Sequence, residues 1–199
     1  YAEAYSDNYN TNKLQWTPVP GATGYDLYAQ VGTSQLINLV KASITTTTYT
    51  HTSLITNSQY RYQLRPYRLV GTTKVYGPSY GLFAATPVPS VPEVTADTIS
   101  PTSIKASWKA VPGATGYELS YTSYGEMVNG YKLMPLTTAT TMTLTSLPAG
   151  HEFVVLVRAY RLVGTTKVYG DYGFDFALTS TANPTLIATS LSPTSLKLS

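Results

Sequence analysis

LQWTPVPGATGYDLY at 14–28 and ASWKAVPGATGYELS at 106–120 decide the reading of this chain, because each sets apolar residues two apart on either side of one glycine-bearing turn. In the first copy Leu14 and Trp16 alternate with polar neighbours before the turn, and Tyr25, Leu27 and Ala29 do so after it. A period of two marks a strand with one buried face. The alternation returns in Tyr60, Tyr62 and Leu64, and helical spacing is sustained nowhere. Stretches such as TTTTYT at 45–50 suit a pleated surface and handicap a helix.

Working outward, the two copies set the organisation of the whole chain. Trp16 and Trp108 stand 92 residues apart, and the eleven residues YRLVGTTKVYG at 67–77 recur letter for letter at 160–170, 93 apart. SPTSIKAS at 100–107 returns as SPTSLKLS at 192–199. The expected division is therefore 1–88 and 89–180, with 181–199 as the start of a third repeat, in register for a further tryptophan after Ser199, so that the sequence reads as a piece of a longer array. The joints TPVPSVP at 86–92 and TSTANPT at 179–185 carry proline, which favours a stiff rod over a loose string. About seven short strands per repeat of this length imply an antiparallel sandwich.

Composition narrows the function classes. With 199 residues, 43% hydrophobic and 12% charged, the chain reads as soluble and globular, without an apolar run long enough for a membrane span. A net charge of +3, dispersed along the repeats, gives no footprint for nucleic acid. The absence of cysteine removes disulfides and thiolate catalysis, and the lean toward Thr, Ser, Tyr and Gly points to an extracellular, secreted or wall-associated protein.

Taken together, the strand ending in tryptophan (Trp16, Trp108), the turn VPGATGY with its tyrosine (Tyr25, Tyr117), and Leu six residues before an aromatic (Leu54 and Tyr60, Leu147 and Phe153) resemble the fibronectin type III domain. The hairpins RPYRLVGTTKVYG and RAYRLVGTTKVYG look like those of Gram-positive multi-domain surface proteins. The resemblance implies an all-β fold of tandem seven-stranded antiparallel β-sandwiches, immunoglobulin-like, with each tryptophan between two sheets. It also implies a tyrosine corner, in which the tyrosine opening strand F hydrogen-bonds back to the preceding turn. Tyr60 fits that role, whereas Phe153 has no hydroxyl; Phe153→Tyr is expected to restore the bond where the turn keeps its partner group.

The repeated hairpin poses the functional question. Its tip, GTT, is not the Arg-Gly-Asp tripeptide that the corresponding loop carries in some animal fibronectins. Tyrosine pairs around a glycine turn serve to specify a hairpin; the same residues, Tyr67, Arg68, Lys74 and Tyr76 with Tyr160, Arg161, Lys167 and Tyr169, also make a basic aromatic patch able to stack on sugars or meet acidic groups. A second candidate surface is Val154 with Leu156, outward-facing apolar positions on a central strand where repeat one has Arg61 and Gln63. Either YGEMVNGY at 124–131 folds over them with Met127 or Val128 as a lid, or they meet a partner.

No catalytic or cofactor motif appears. His51 and His151 fall at non-equivalent places and read as solvent-facing turn residues. Asp26 and Glu118 read as a solvated face paired across to Arg65 and Arg158. Taking Asn8, Asn10 and Asn12 as alternate calcium ligands puts Lys13 where the loop glycine belongs. The expectation is thus no enzyme, metal or cofactor. Two roles remain: a stalk or spacer of a bacterial surface or secreted protein, contacting neighbouring repeats, or an adhesin or carbohydrate-associated module contacting glycan or protein.

Overall fold

The computed structural model describes residues 1–181, 188–192 and 195–198. The first sandwich comprises β1 (Ala2–Asn8), β2 (Thr11–Trp16), β3 (Gly24–Val31), β4 (Asn38–Ile44), β5 (Thr48–His51), β6 (Tyr60–Val70), β7 (Thr73–Tyr76) and β8 (Tyr80–Ala85). The second comprises β9 (Val94–Ser100), β10 (Ser103–Trp108), β11 (Gly116–Ser123), β12 (Lys132–Leu133), β13 (Thr141–Leu144), β14 (Glu152–Val163), β15 (Thr166–Tyr169) and β16 (Gly173–Leu178). In each, a three-stranded sheet (β1-β2-β5 or β9-β10-β13) faces a larger one (β4-β3-β6-β7 or β12-β11-β14-β15), whose central strand also pairs with β8 or β16. Counting β7 with β8, and β15 with β16, as one interrupted strand gives seven per sandwich, all antiparallel. The third start forms β17 (Ala188–Ser192) and β18 (Ser195–Leu198), an antiparallel hairpin with Ala188 opposite Leu198; how it is covered lies outside the described residues.

The period-two residues make the two cores. Leu14, Trp16, Tyr25, Leu27, Tyr62 and Leu64 fill the first, and Ile104, Trp108, Tyr117, Leu119, Val155 and Val157 the second. Each tryptophan lies edge-on to the tyrosine beyond the turn, Trp16 to Tyr25 at 5.4 Å and Trp108 to Tyr117 at 5.5 Å. That tyrosine also fastens the turn, its Oη accepting the N–H of Val19 or Val111 at 2.8 Å. Gly21 and Gly113 take φ of +77° and +72°, which a side chain would strain.

The corner differs between the sandwiches. The N–H of Ile55 donates to Tyr60 Oη at 2.9 Å, as the resemblance implied. In the second sandwich Pro148 stands five residues before Phe153, as Ile55 does before Tyr60, and proline has no N–H to give. Thr179 takes over from outside the corner: its Oγ1 donates to Pro148 O at 2.7 Å and accepts the His151 N–H at 3.0 Å. Phe153→Tyr therefore does not restore a bond. Phe153 is buried, so a new hydroxyl without a partner is expected to destabilise the second sandwich by about 1–3 kcal/mol, read as a lower urea midpoint; an unchanged or higher midpoint would show that the hydroxyl finds a partner.

His51 is not a solvent-facing residue. It lies half-buried and edge-on to Tyr60 and Tyr62, with Nδ1 3.1 Å from Tyr62 Oη. Asn12, far from being a calcium ligand, is fully buried and donates to Tyr62 Oη at 3.1 Å. Burial pushes the Tyr62 hydroxyl up to about 12 and holds the His51 imidazole below its usual value. The unfolded chain thus takes up the His51 proton first as pH falls, so stability present above the unfolded pKa of about 6.5 is lost below it. Amide protection factors in β6 are expected to drop between pH 7.5 and pH 5 while those in β14 hold, and His51→Gln should flatten the difference; equal behaviour of the two strands would contradict it. His151 is exposed, as expected, with Nδ1 2.9 Å from Ala149 O.

Candidate functional site: the repeated hairpin and the junction

The eleven identical residues build β6–β7 and β14–β15 in the same register, Tyr67 opposite Tyr76 and Tyr160 opposite Tyr169. Gly71 and Gly164, both at φ +61°, head the two-residue tips. The hairpin and the VPGATGY turn lock each other in both repeats. A Cβ on Gly24 would stand 2.5 Å from Tyr67 Oη, and one on Gly116 2.6 Å from Tyr160 Oη. The Thr23 N–H donates to Tyr67 O at 2.8 Å and Thr23 Oγ1 accepts from Leu69 N at 3.1 Å; Thr115 repeats both bonds with Tyr160 and Leu162. Two sequence pieces that are identical between repeats are thus in contact, and each constrains the other.

This packing changes the candidate surface. Tyr67 and Tyr160 are buried, so they present no ring to a ligand. Arg68 and Lys167 are exposed, Tyr76 is 39% exposed, and Lys74, Arg161 and Tyr169 are half-buried. Lys74 is spent internally, with Nζ 2.8 Å from Asp26 Oδ1 and 4.2 Å from the Tyr67 ring centre.

Asp26 and Glu118 are not a solvated face, being 3% and 7% exposed. Their parity along β3 and β11 does turn them to the outer face, but long side chains of the neighbouring strands close over them. Arg65 lies opposite Asp26 in register yet stacks on Tyr76 at 4.9 Å, leaving the carboxylate to Lys74, to Tyr76 Oη at 2.6 Å and to the Ser43 N–H at 2.8 Å. Burial alone would raise the Asp26 carboxyl, but these hydrogen bonds outweigh it and hold it below the usual aspartate value. In the second sandwich the expected pair forms, Arg158 Nη2 to Glu118 Oε1 at 2.7 Å, and Tyr172 donates to the same oxygen at 3.1 Å.

Val154 and Leu156 do lie on the outer face of β14, yet Val154 is 3% exposed and Leu156 half-buried. The 3₁₀ segment Tyr124–Asn129 packs against β11 and β14 on this side. Val128 is no lid, being 94% exposed, and Met127 is itself exposed. The apolar surface shows instead on β16. Phe176, opposite Val154, meets Tyr124 at 5.9 Å and Phe174 at 5.8 Å, and all three rings are exposed. The alternation in GFDFAL at 173–178 carried this signal, since an inward Ala177 sends both phenylalanines out; Ala84 stands where Phe176 does in the first repeat.

The joint between the sandwiches is built, not loose. Pro87, Pro89 and Pro92 are buried. The Val88 N–H donates to Ser6 Oγ at 2.9 Å, the Pro87 carbonyl accepts from Asn57 N at 2.9 Å, and the Pro89 carbonyl lies 2.1 Å from where a Cβ on Gly170 would stand. Tyr9, in the β1–β2 turn, crosses to the second sandwich. Its ring covers Gly113, where a Cβ would fall 2.3 Å from ring carbons, and lies 4.3 Å under the Arg161 guanidinium, which also donates to Gly113 O at 2.8 Å. A cation over an aromatic face beside a satisfied hydrogen bond is a directional contact.

Residues 87–168 match the family model of the fibronectin type III domain. The second sandwich has the fibronectin type III fold. The first has the fibronectin type III fold as well, with the same strand order and its tryptophan and turn tyrosine in the same places. Among curated proteins the chain is similar to fibronectin type III domain-containing protein 7 of Mus musculus, 29% identical over 81% of this chain and 21% of that protein. It is also similar to its Homo sapiens counterpart, 27% identical over 99% and 25%, and to Exoglucanase B of Cellulomonas fimi, 31% identical over 73% and 13%. The chain thus spans a quarter or less of each of these relatives. A solved two-domain fibronectin type III segment of chicken tenascin aligns over 90% of this chain and 98% of that one, with 16% identity and a TM-score of 0.47. Among the described residues no helix is long and apolar enough to cross a membrane, and no three His, Asp or Glu side chains gather as a metal site would need.

Proposed function

We propose that these fibronectin type III modules form a non-catalytic spacer or stalk of a bacterial cell-surface or secreted protein, acting outside the cell to hold another part of the protein at a set distance. The observation that carries this reading is the junction, where buried prolines and the Tyr9–Arg161 contact tie the two sandwiches together. A hinge meant to flex would leave such a linker solvated. The internal use of Tyr67, Tyr160 and Lys74 supports it further, since the hairpin residues best suited to a ligand already have partners. The bacterial relative bears the name of an exoglucanase, of which the matched stretch is a small part; this fits modules carried beside some other domain.

The exposed rings of Tyr124, Phe174 and Phe176 favour a second reading, an adhesin or carbohydrate-associated module that meets glycan or protein through this sheet face. A labelled chain on glycan and matrix-protein arrays separates the two. The spacer predicts no specific signal. A signal abolished by Phe174→Ser with Phe176→Ala would replace it with the binding reading.

A further inference from the structure

The repeated hairpin has the same sequence in both sandwiches but not the same surroundings. Val75 is 53% exposed, while Val168, its counterpart, is 6% exposed. Gly77 is exposed and Gly170 is buried under the Pro89 carbonyl; Arg68 is exposed, and Arg161 caps the Tyr9 ring. The eleven residues are identical, so the differences arise from what surrounds them. Against the second copy lie a preceding module and its linker, Pro89 over Gly170 and Tyr9 on Arg161. In the first sandwich the same surface, lined by Gly21, Arg68, Val75 and Gly77, is an open cleft of about 580 Å³.

We propose that this cleft is a second junction seat, and that its occupant is the β1–β2 turn and proline linker of another fibronectin type III module joined ahead of it. The turn must present an aromatic ring to Arg68 and the Gly21 backbone, as Tyr9 does to Arg161 and Gly113. Register permits it: Ala2 pairs with Trp16 as Val94 pairs with Trp108, so Pro92 placed directly before Tyr1 repeats the existing joint. The inference rests on the spacer reading, extending its junction from one site to a repeating one.

The chain has no cysteine, so a single engineered thiol reports on each seat. Val75→Cys is expected to react freely with a thiol reagent in the chain as it stands. In a chain extended by a copy of residues 1–92 ahead of Tyr1, the same thiol should react about tenfold or more slowly, because the reagent then reaches it only through opening of the junction. Tyr9→Ala in the added copy should return the fast rate. Val168→Cys in the unextended chain should already be slow. A fast Val168→Cys would overturn the rigid junction and the seat with it. A slow Val168→Cys beside a Val75→Cys that extension does not protect would overturn the seat alone, as would protection that survives Tyr9→Ala.

Discussion

Trp16→Ala and Trp108→Ala are each expected to cost the sandwich that carries them about 3–5 kcal/mol, a large share of what a module of this size has to lose. Both indoles lie between the sheets, 5% and 6% exposed, and each supports the tyrosine that fastens the VPGATGY turn. Truncation therefore leaves a cavity and frees the turn against which the repeated hairpin packs. Because each variant keeps the other tryptophan, fluorescence follows the untouched sandwich while circular dichroism follows both. Urea unfolding should split, with the altered sandwich melting first. Coincident transitions at the original midpoint would mean that the indole is not part of the core.

Thr179→Val is the second large effect. The side chain is 1% exposed, and its hydroxyl serves Pro148 O and the His151 N–H, replacing the corner that Phe153 cannot make. Valine keeps the shape but leaves both backbone groups without that partner, at an expected cost of about 2–3 kcal/mol. The loss should appear as a lower urea midpoint of the second sandwich and weaker amide protection at His151. An unchanged midpoint would assign the corner to packing alone.

The sheets were legible because period-two alternation is imposed by a backbone that turns alternate side chains to opposite faces. The same parity placed Val154, Leu156, Asp26 and Glu118 outward correctly. It failed on their exposure, because a strand's alternation says which face a residue takes and nothing about what crosses that face. Lys74 and Tyr76 close over Asp26 from β7, Phe176 of β16 stands opposite Val154, and Tyr124–Asn129 packs against β14. The absent corner at Phe153 was legible, but its substitute was not: the donor is missing at Pro148 and the replacement stands at Thr179, 31 residues further on. His51 read as a solvent-facing turn residue and Asn12 only as a trial calcium ligand, yet Tyr62, a tyrosine at the centre of the core, needs hydrogen-bond partners and draws both inward. Tyr9 gave no signal at all, since its partners, Gly113 and Arg161, belong to the next module.

As a spacer, the two sandwiches are expected to move as one rigid unit held by the Pro87–Pro92 linker and the Tyr9–Arg161 contact. Residual dipolar couplings of backbone amides in the weakly aligned chain test it most directly. Couplings from β1–β8 and β9–β16 are expected to fit a single alignment tensor, and Arg161→Ala with Tyr9→Ala to divide them into two. Two separate tensors in the unaltered chain, with reduced order in one sandwich, would contradict it.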